Sequence, residues 1–163
     1  MLGTGHRGSV RHSLIYEAVF FIALLSTALA LGAALAHALE LPNKIGMPRD
    51  QYFIMQQAYR GWSLLGLLLL VELLSMVAVA VMSRAPWVRW PTVAAIAFLV
   101  CAQALFWIYT YPANVATRNW TVMPESWEIL RRQWEYSHAA GAGFQILAMS
   151  ALFVAALGRS RAP

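Results

Sequence analysis

Two short motifs carry the residues best able to do chemistry. Near residue 40 the chain reads "AHALELPN", with His37 and Glu40 three positions apart; near residue 135 it reads "WEYSHAA", with Glu135 and His138 three apart. On a helix that spacing sets each pair on one face, a turn apart. The order is inverted between the motifs, so on helices running in opposite directions both histidines lie one turn deeper than both carboxylates. If those faces meet, two imidazoles and two carboxylates converge in a shallow pocket. Carboxylate–x–x–imidazole pairs on bundle helices are one way of supplying ligands to non-haem iron. His37, Glu40, Glu135 and His138 are thus candidate ligands for a mononuclear iron, copper or zinc ion. The two histidines could instead hold a b-type haem axially. A third option is no cofactor, with each histidine simply bonded to the nearby glutamate.

Polar residues continue below these motifs. Glu135, His138, Ala142 and Gln145 share one helical face, and Gln103, Trp107, Thr110 and Asn114 share another. Glu72 lies about 15 Å along a helix from Trp62, near mid-bilayer if that helix spans a membrane. These groups should face inward, because a lipid-exposed carboxylate costs ~3 kcal/mol or more. Glu72 then reads either as a functional group or as a structural contact to Gln103 or Gln145. Ala30 and Ala33, beneath His37, are small enough for close helix approach. Gly141 and Gly143 read as packing residues, and Arg131 and Arg132 as solvated ones. Cys101, the only cysteine, reads as a packed thiol, and the Gly3-Thr4-Gly5 run is too short for a phosphate loop.

The elements that must position these residues follow from composition. The 163 residues are 60% hydrophobic and 12% charged, far from the balance of a water-soluble domain. Ala18–Ala36, Leu64–Met82, Thr92–Tyr109 and Ala139–Leu157 are apolar blocks long enough to cross a ~30 Å hydrocarbon core. The first follows Arg7 and Arg11 but is too long for a signal peptide's apolar region. The expectation is an all-α, integral membrane four-helix bundle forming one domain over 1–163. Its spans run roughly 15–39, 62–83, 91–111 and 134–157. A long outer loop, 112–133, carries a helical extension of the fourth span.

Arg7, Arg11, Arg84, Arg89, Arg159 and Arg161 stand in segments free of acids, which favours both termini on the cytoplasmic side of a cell inner (plasma) membrane. Trp62, Trp107, Tyr109 and Tyr111 would then mark the outer boundary, and Tyr16, Trp87 and Trp90 the inner one. The basic balance, net +5, fits membrane anchoring; no basic–aromatic pattern argues for nucleic acid. "MPRDQYFIMQQAYRGW" (47–62) and "MPESWEILRRQWEYSH" (123–138) resemble each other, with Asp50 or Ser126 as a helix cap and Gln57 matching Gln133. Two tandem helical hairpins are read from that likeness. The expected partners are the lipid bilayer, an apolar small molecule, and an open option of further copies of the chain.

"YPAN" followed by "RRQWEYSH" resembles the anthrone-oxygenase-like family of small four-helix membrane proteins. The family pattern falls on Pro112, Asn114, Arg131, Trp134 and His138. Members often carry a basic residue one turn after the histidine, where this chain has Ala140, Gly141 and Ala142. Some members look like oxygenases that convert an anthrone to an anthraquinone. The resemblance implies an oxygenase- or oxidoreductase-like activity on a flat, apolar phenolic or quinone-like substrate. His138 with Glu135 would be the base pair and Asn114 would bind the oxyanion. Trp107, Trp134 and Tyr136 would form walls, and Gln103, Gln145 and Glu72 would make polar contacts to the bound molecule. Metal assistance is optional in that scheme. Two rival readings stand beside it: a small carrier or proton-linked transporter working through Glu72, and an accessory subunit of a membrane complex.

Overall fold

The computed structural model describes the backbone of residues 4–159 and the side chains of residues 13–159. The charges of Arg7, Arg11 and Arg161, and Gly3 of the Gly-Thr-Gly run, lie outside the described residues. The described chain is helical almost throughout, in the order α1 (Thr4–Lys44), α2 (Arg49–Gln56), α3 (Leu65–Met82), α4 (Pro86–Leu105), α5 (Tyr111–Ala116) and α6 (Trp127–Gly158). Four stretches are long and apolar enough to cross a membrane: Ser13–Lys44, Trp62–Met82, Pro86–Ala116 and Trp127–Gly158.

Each boundary has a local cause. Pro42 sits in the last turn of α1, where its missing N–H costs one ladder bond, and the helix ends at Lys44. Gly61 turns the chain into α3 with φ at +89°, a left-handed conformation that glycine adopts without a Cβ clash. Pro86 opens α4 at its first position, where an N–H has no partner anyway. Between α4 and α5 the backbone widens into one π-helical turn, Phe106–Thr110. Pro112 is the cause, since it can donate nothing to the preceding turn. At the same turn the carbonyl of Tyr109 accepts from the side-chain amide of Gln133 at 2.7 Å, which docks α6 against the bulge.

The four long helices close a ring in which α1 packs on α3 and α6, and α4 packs on α3 and α6. Neighbouring α1 and α6 brings the two His/Glu motifs onto a shared surface. Along the middle and lower bundle the core is built from small and medium residues: Ala23, Ala95, Ala148 and Ala155 interleave with Phe20, Met76, Leu99 and Leu152. Leu67, Leu70, Leu74, Val81 and Phe153 point outward and stay exposed. No more than 33% of any spanning window is buried inside the protein. Helices of this length whose outer surface is itself apolar belong in a lipid bilayer, and the chain has the build of a multi-pass membrane protein.

One end of the bundle is capped. There α2 and the 117–126 segment fold over α6, making an aromatic cluster of Tyr52, Phe53, Trp120 and Trp134 with Tyr59 and Trp127 at its edge. The turn that delivers Trp120 is strained. Arg118, Asn119 and Trp120 hold φ values of +46°, +55° and +62°, in a region that costs a side-chain-bearing residue roughly 1–2 kcal/mol each. Trp120 is 4% exposed and meets the Tyr52 ring at 5.0 Å and Phe53 at 5.5 Å, so aromatic burial offsets the strain.

Several local expectations change. No side-chain cap bond forms at either helix start: Pro48 occupies the cap position before α2, leaving Asp50 inside the first turn, and Ser126 takes the cap position of α6 but bonds it through its carbonyl alone. Cys101 is exposed on the bundle's outer surface instead of packed within it. A Cβ built on Gly141 or Gly143 would meet nothing within 4 Å, so neither glycine is a close-packing residue. The residue that does permit close approach is Gly158, where a Cβ would lie 2.7 Å from the Trp87 carbonyl oxygen.

Candidate functional site

At the capped end α1 contributes His37, Glu40 and Lys44 from one face, at spacings of three and four. Facing them, α6 contributes Arg131, Trp134, Glu135 and His138 by the same periodicity. The α2 hairpin adds Tyr52, Gln56 and Tyr59 from above. What results is two adjoining layers, one ionic and one aromatic.

The ionic layer is centred on Lys44 and Glu135, which are 1% and 0% exposed and stand 3.0 Å apart. Burying such a pair is tolerable only when most of its donors and acceptors are occupied; here all contacts fall on Glu135 Oε1, and Oε2 is buried without a partner. Tyr52 donates its hydroxyl to Glu135 Oε1 at 2.9 Å and accepts from the Gln56 amide. Lys44 donates to the Tyr59 hydroxyl at 2.9 Å, and Tyr59 donates in turn to Glu40, whose carboxylate is 3.8 Å from Lys44 and reaches solvent. The ammonium also lies over the Tyr59 and Trp134 rings, 4.5 and 4.7 Å from their centroids. A continuous hydrogen-bonded chain therefore runs from half-exposed Glu40 to buried Glu135. Burial raises the Tyr52 phenol well above its ordinary value, the Glu135 charge adds to this, and Gln56 and Arg131 oppose it. Tyr59 is raised the same way, by burial first and by Glu40 second.

The aromatic layer lies one turn deeper. His37 and His138 face each other with ring centroids 4.3 Å apart. Tyr59, Trp62 and Trp134 surround His37 at 4.5, 5.1 and 5.1 Å, and Trp134 stacks on His138 at 3.9 Å. Trp134 is fixed by donating its indole N–H to Asn114 Oδ1 at 2.9 Å. Ser137 meets Thr110 at 2.7 Å, pinning this turn of α6 to the π-helical bulge. His138 Nδ1 lies 2.9 Å from the Trp134 carbonyl oxygen. A carbonyl carries no proton, so Nδ1 is the donor and a neutral ring keeps its lone pair on Nε2. His37 Nδ1 is buried and unpartnered. A polar atom left so is costly unless something bound completes it.

No family model, curated protein or solved structure matches this chain.

The sequence-nominated residues divide into those that converge and those that do not. His37, His138, Glu40, Glu135, Trp134 and Asn114 come together, but with partners of their own. Neither histidine bonds a glutamate: Glu135 is held by Lys44 and Tyr52, and Glu40 by Tyr59. Among the described residues no three His, Cys, Asp or Glu side chains group as a metal-holding set. Axial haem ligation would need the two ring nitrogens about 4 Å apart with iron between them, and hence ring centroids about 6 Å apart. The tilted pair, at 4.3 Å, does not fit a haem. Trp107 is 59% exposed and touches Phe106 and Tyr111, and Tyr136 is also exposed, so both lie on the outside of the bundle. Glu72 and Gln145 form a separate buried pair deep in the bundle, the amide nitrogen 3.0 and 3.1 Å from the two carboxyl oxygens. Gln103 is half-buried and takes no part in that pair.

Arg131 corrects the expectation of a solvated residue. It is 7% exposed, donates to the Met47 carbonyl at 2.7 Å and lies 4.6 Å from the Trp127 ring centroid. Lys44, Tyr52, Gln56 and Tyr59 were not nominated at all. A signal existed for three of them: Lys44 falls seven residues after His37 on the same helical face, and Gln56 four after Tyr52.

Proposed function

We propose that this membrane protein binds a flat, apolar phenol- or quinone-like molecule against the His37–His138 pair and carries out oxygenase-like chemistry on it. The reading rests on one observation: two contacting imidazoles, boxed by Trp62, Trp134 and Tyr59, with Nε2 of His138 free to accept a proton and His37 Nδ1 lacking a partner. The resemblance to anthrone oxygenases supplies the reaction class. An activated methylene flanked by aromatic rings gives a proton to His138 Nε2. The resulting carbanion reduces dioxygen, one oxygen atom becoming the new carbonyl and the other leaving as water. His37 donates to or accepts from the substrate oxygen, and Asn114 acts through Trp134, as a positioning residue. The acid-free, arginine-bearing segments support an orientation with both termini in the cytoplasm and the capped end outside.

The test is oxygen uptake by the purified protein in mild detergent with a tricyclic anthrone, alongside quenching of tryptophan fluorescence. Wild-type protein should bind and turn over; His138→Ala should lose turnover by about two orders of magnitude or more, the usual weight of a general base. Equal uptake by wild type and His138→Ala, in protein of unchanged elution and helicity, refutes the reading.

A second reading has its own observation. Glu72 is fully buried near the middle of α3 with Gln145 as partner and no ion pair among the described residues. A deep carboxyl without a cation is what a proton-linked carrier requires. Proton-coupled uptake into vesicles that vanishes in Glu72→Gln would favour it.

A further inference from the structure

We propose that the ligand of the histidine pair carries a hydrocarbon tail, an alkyl or prenyl chain on a phenol or quinol ring, and that the tail lies in a groove on the side of the bundle. This deepens the proposed function and rests on it. The groove has a volume of about 290 Å³, is open, and is lined by Ala33, Gly61, Trp62, Leu64 and Leu65. It lies beside the junction of α1 and the start of α3, at the edge of two stretches long and apolar enough to span a membrane, so in the proposed reading its mouth faces lipid near the outer boundary.

Continuity with the histidine pair identifies the occupant. Ala33 is one helical turn below His37 on the same face of α1. Trp62 forms a wall of the groove and also meets the His37 ring at 5.1 Å. Trp62 and Ala33 thus set the groove directly beside the histidine pair, and a substituent on a ring held by His37 has the groove as its nearest apolar surface. The local backbone keeps that space clear. Gly61 takes a left-handed φ of +89°, and a Cβ there would meet no neighbouring group within 4 Å. Leu64, 71% exposed, forms the outer lip. The lining offers no charged side chain, which excludes a headgroup or an ionic ligand and suits methylenes.

Transfer of a chain from lipid into this groove gains little hydrophobic free energy, since both surroundings are apolar. Its contribution is van der Waals contact and a fixed approach of the ring, so the expected preference is modest. The experiment measures binding of two probes to the detergent-solubilised full chain: a naphthoquinol bearing a decyl chain and the same ring bearing a methyl group. Concentrations are expressed as mole fraction in the micelle, which removes the difference in partitioning. The expected result is about tenfold tighter binding of the tailed probe, of the order of a few methylenes' contacts. In Ala33→Leu, and independently in Leu65→Trp, the ratio between the probes should fall to about one. Two folded fillings guard against one of them failing to fold. Equal binding of both probes to wild type, or a ratio that survives both substitutions, overturns the tail while leaving the ring site standing. Binding of neither probe overturns the ring site and the tail with it.

Discussion

Lys44 is the residue on which the capped end most depends, and the dependence can be measured. Lys44→Met keeps the length and apolar stem of the side chain but removes the cation 3.0 Å from Glu135. Glu135 stays buried, with the Tyr52 hydroxyl as its remaining hydrogen-bond donor. At that distance an effective dielectric of about 20 gives an attraction of roughly 5–6 kcal/mol. Breaking one side of a buried pair typically costs ~3–5 kcal/mol, because the survivor's desolvation is no longer offset. We expect Lys44→Met to fall in that range. Glu135→Gln should cost less, about 1–3 kcal/mol, since Lys44 retains Tyr59 and Glu40 and a glutamine oxygen can still accept from Tyr52. The double variant should be more stable than the sum of the single losses by about 2–4 kcal/mol. The assay is unfolding in mixed micelles on addition of a denaturing detergent, followed by helicity and by tryptophan fluorescence from the cap. Strictly additive losses, or a Lys44→Met protein within about 1 kcal/mol of wild type, would show that the ion pair does not hold the cap together.

Three further outcomes follow from named contacts. Tyr52 and Tyr59 both have raised phenol values, so in the folded protein they stay protonated above pH 10, where the unfolded chain would ionise them. Their contribution is thus fully present below about pH 10 and is lost as pH rises further; spectrophotometric titration should show two tyrosines resisting ionisation until the protein unfolds, and all tyrosines titrating together would contradict this. Gly158→Ala pushes a methyl group to 2.7 Å from the Trp87 carbonyl oxygen, backbone against backbone, and should destabilise by about 1–3 kcal/mol in the same micelle assay. Arg118→Gly should stabilise by about 1 kcal/mol, because Arg118 is exposed at φ +46° and glycine relieves the strain; a loss of stability would mean that the turn is not strained there.

How much of this could be read from the sequence depends on the kind of signal each residue left. The four helices long enough to span a membrane were legible because nothing but lipid requires apolar blocks of that length, as in Leu65–Met82. Convergence of the His37 and Glu135 motifs needed only helical periodicity and the adjacency of α1 and α6. Their partners needed more. Lys44 and Arg131 are cations at the ends of apolar runs, a pattern that usually means solvent. Only the fold of α2 and the 117–126 segment over them turns both into buried residues. The left-handed run at Arg118–Trp120 is invisible to propensity, because tertiary aromatic contacts impose it on residues that would not choose it. The π-helical turn, by contrast, has a visible correlate in Pro112, while the bond from Gln133 to the Tyr109 carbonyl leaves no mark in the sequence.

The two layers at the capped end depend on each other. Trp134 belongs to both: its ring lies under the Lys44 ammonium on one side and stacks on His138 on the other, while Asn114 holds its edge. The same holds for Tyr59, which accepts from Lys44, donates to Glu40 and presents its ring to His37. A shift of Lys44 towards Glu40 and away from Glu135 would therefore be transmitted to the walls around both histidines through two rigid rings. The half-exposed Glu40 carboxylate is where conditions outside the bundle reach that chain of contacts. Buried ionic residues so close to the imidazoles then have a use that stability alone does not supply. They fix the aromatic box in one arrangement from above, while Trp62 forms both a side of the box and a wall of the neighbouring groove.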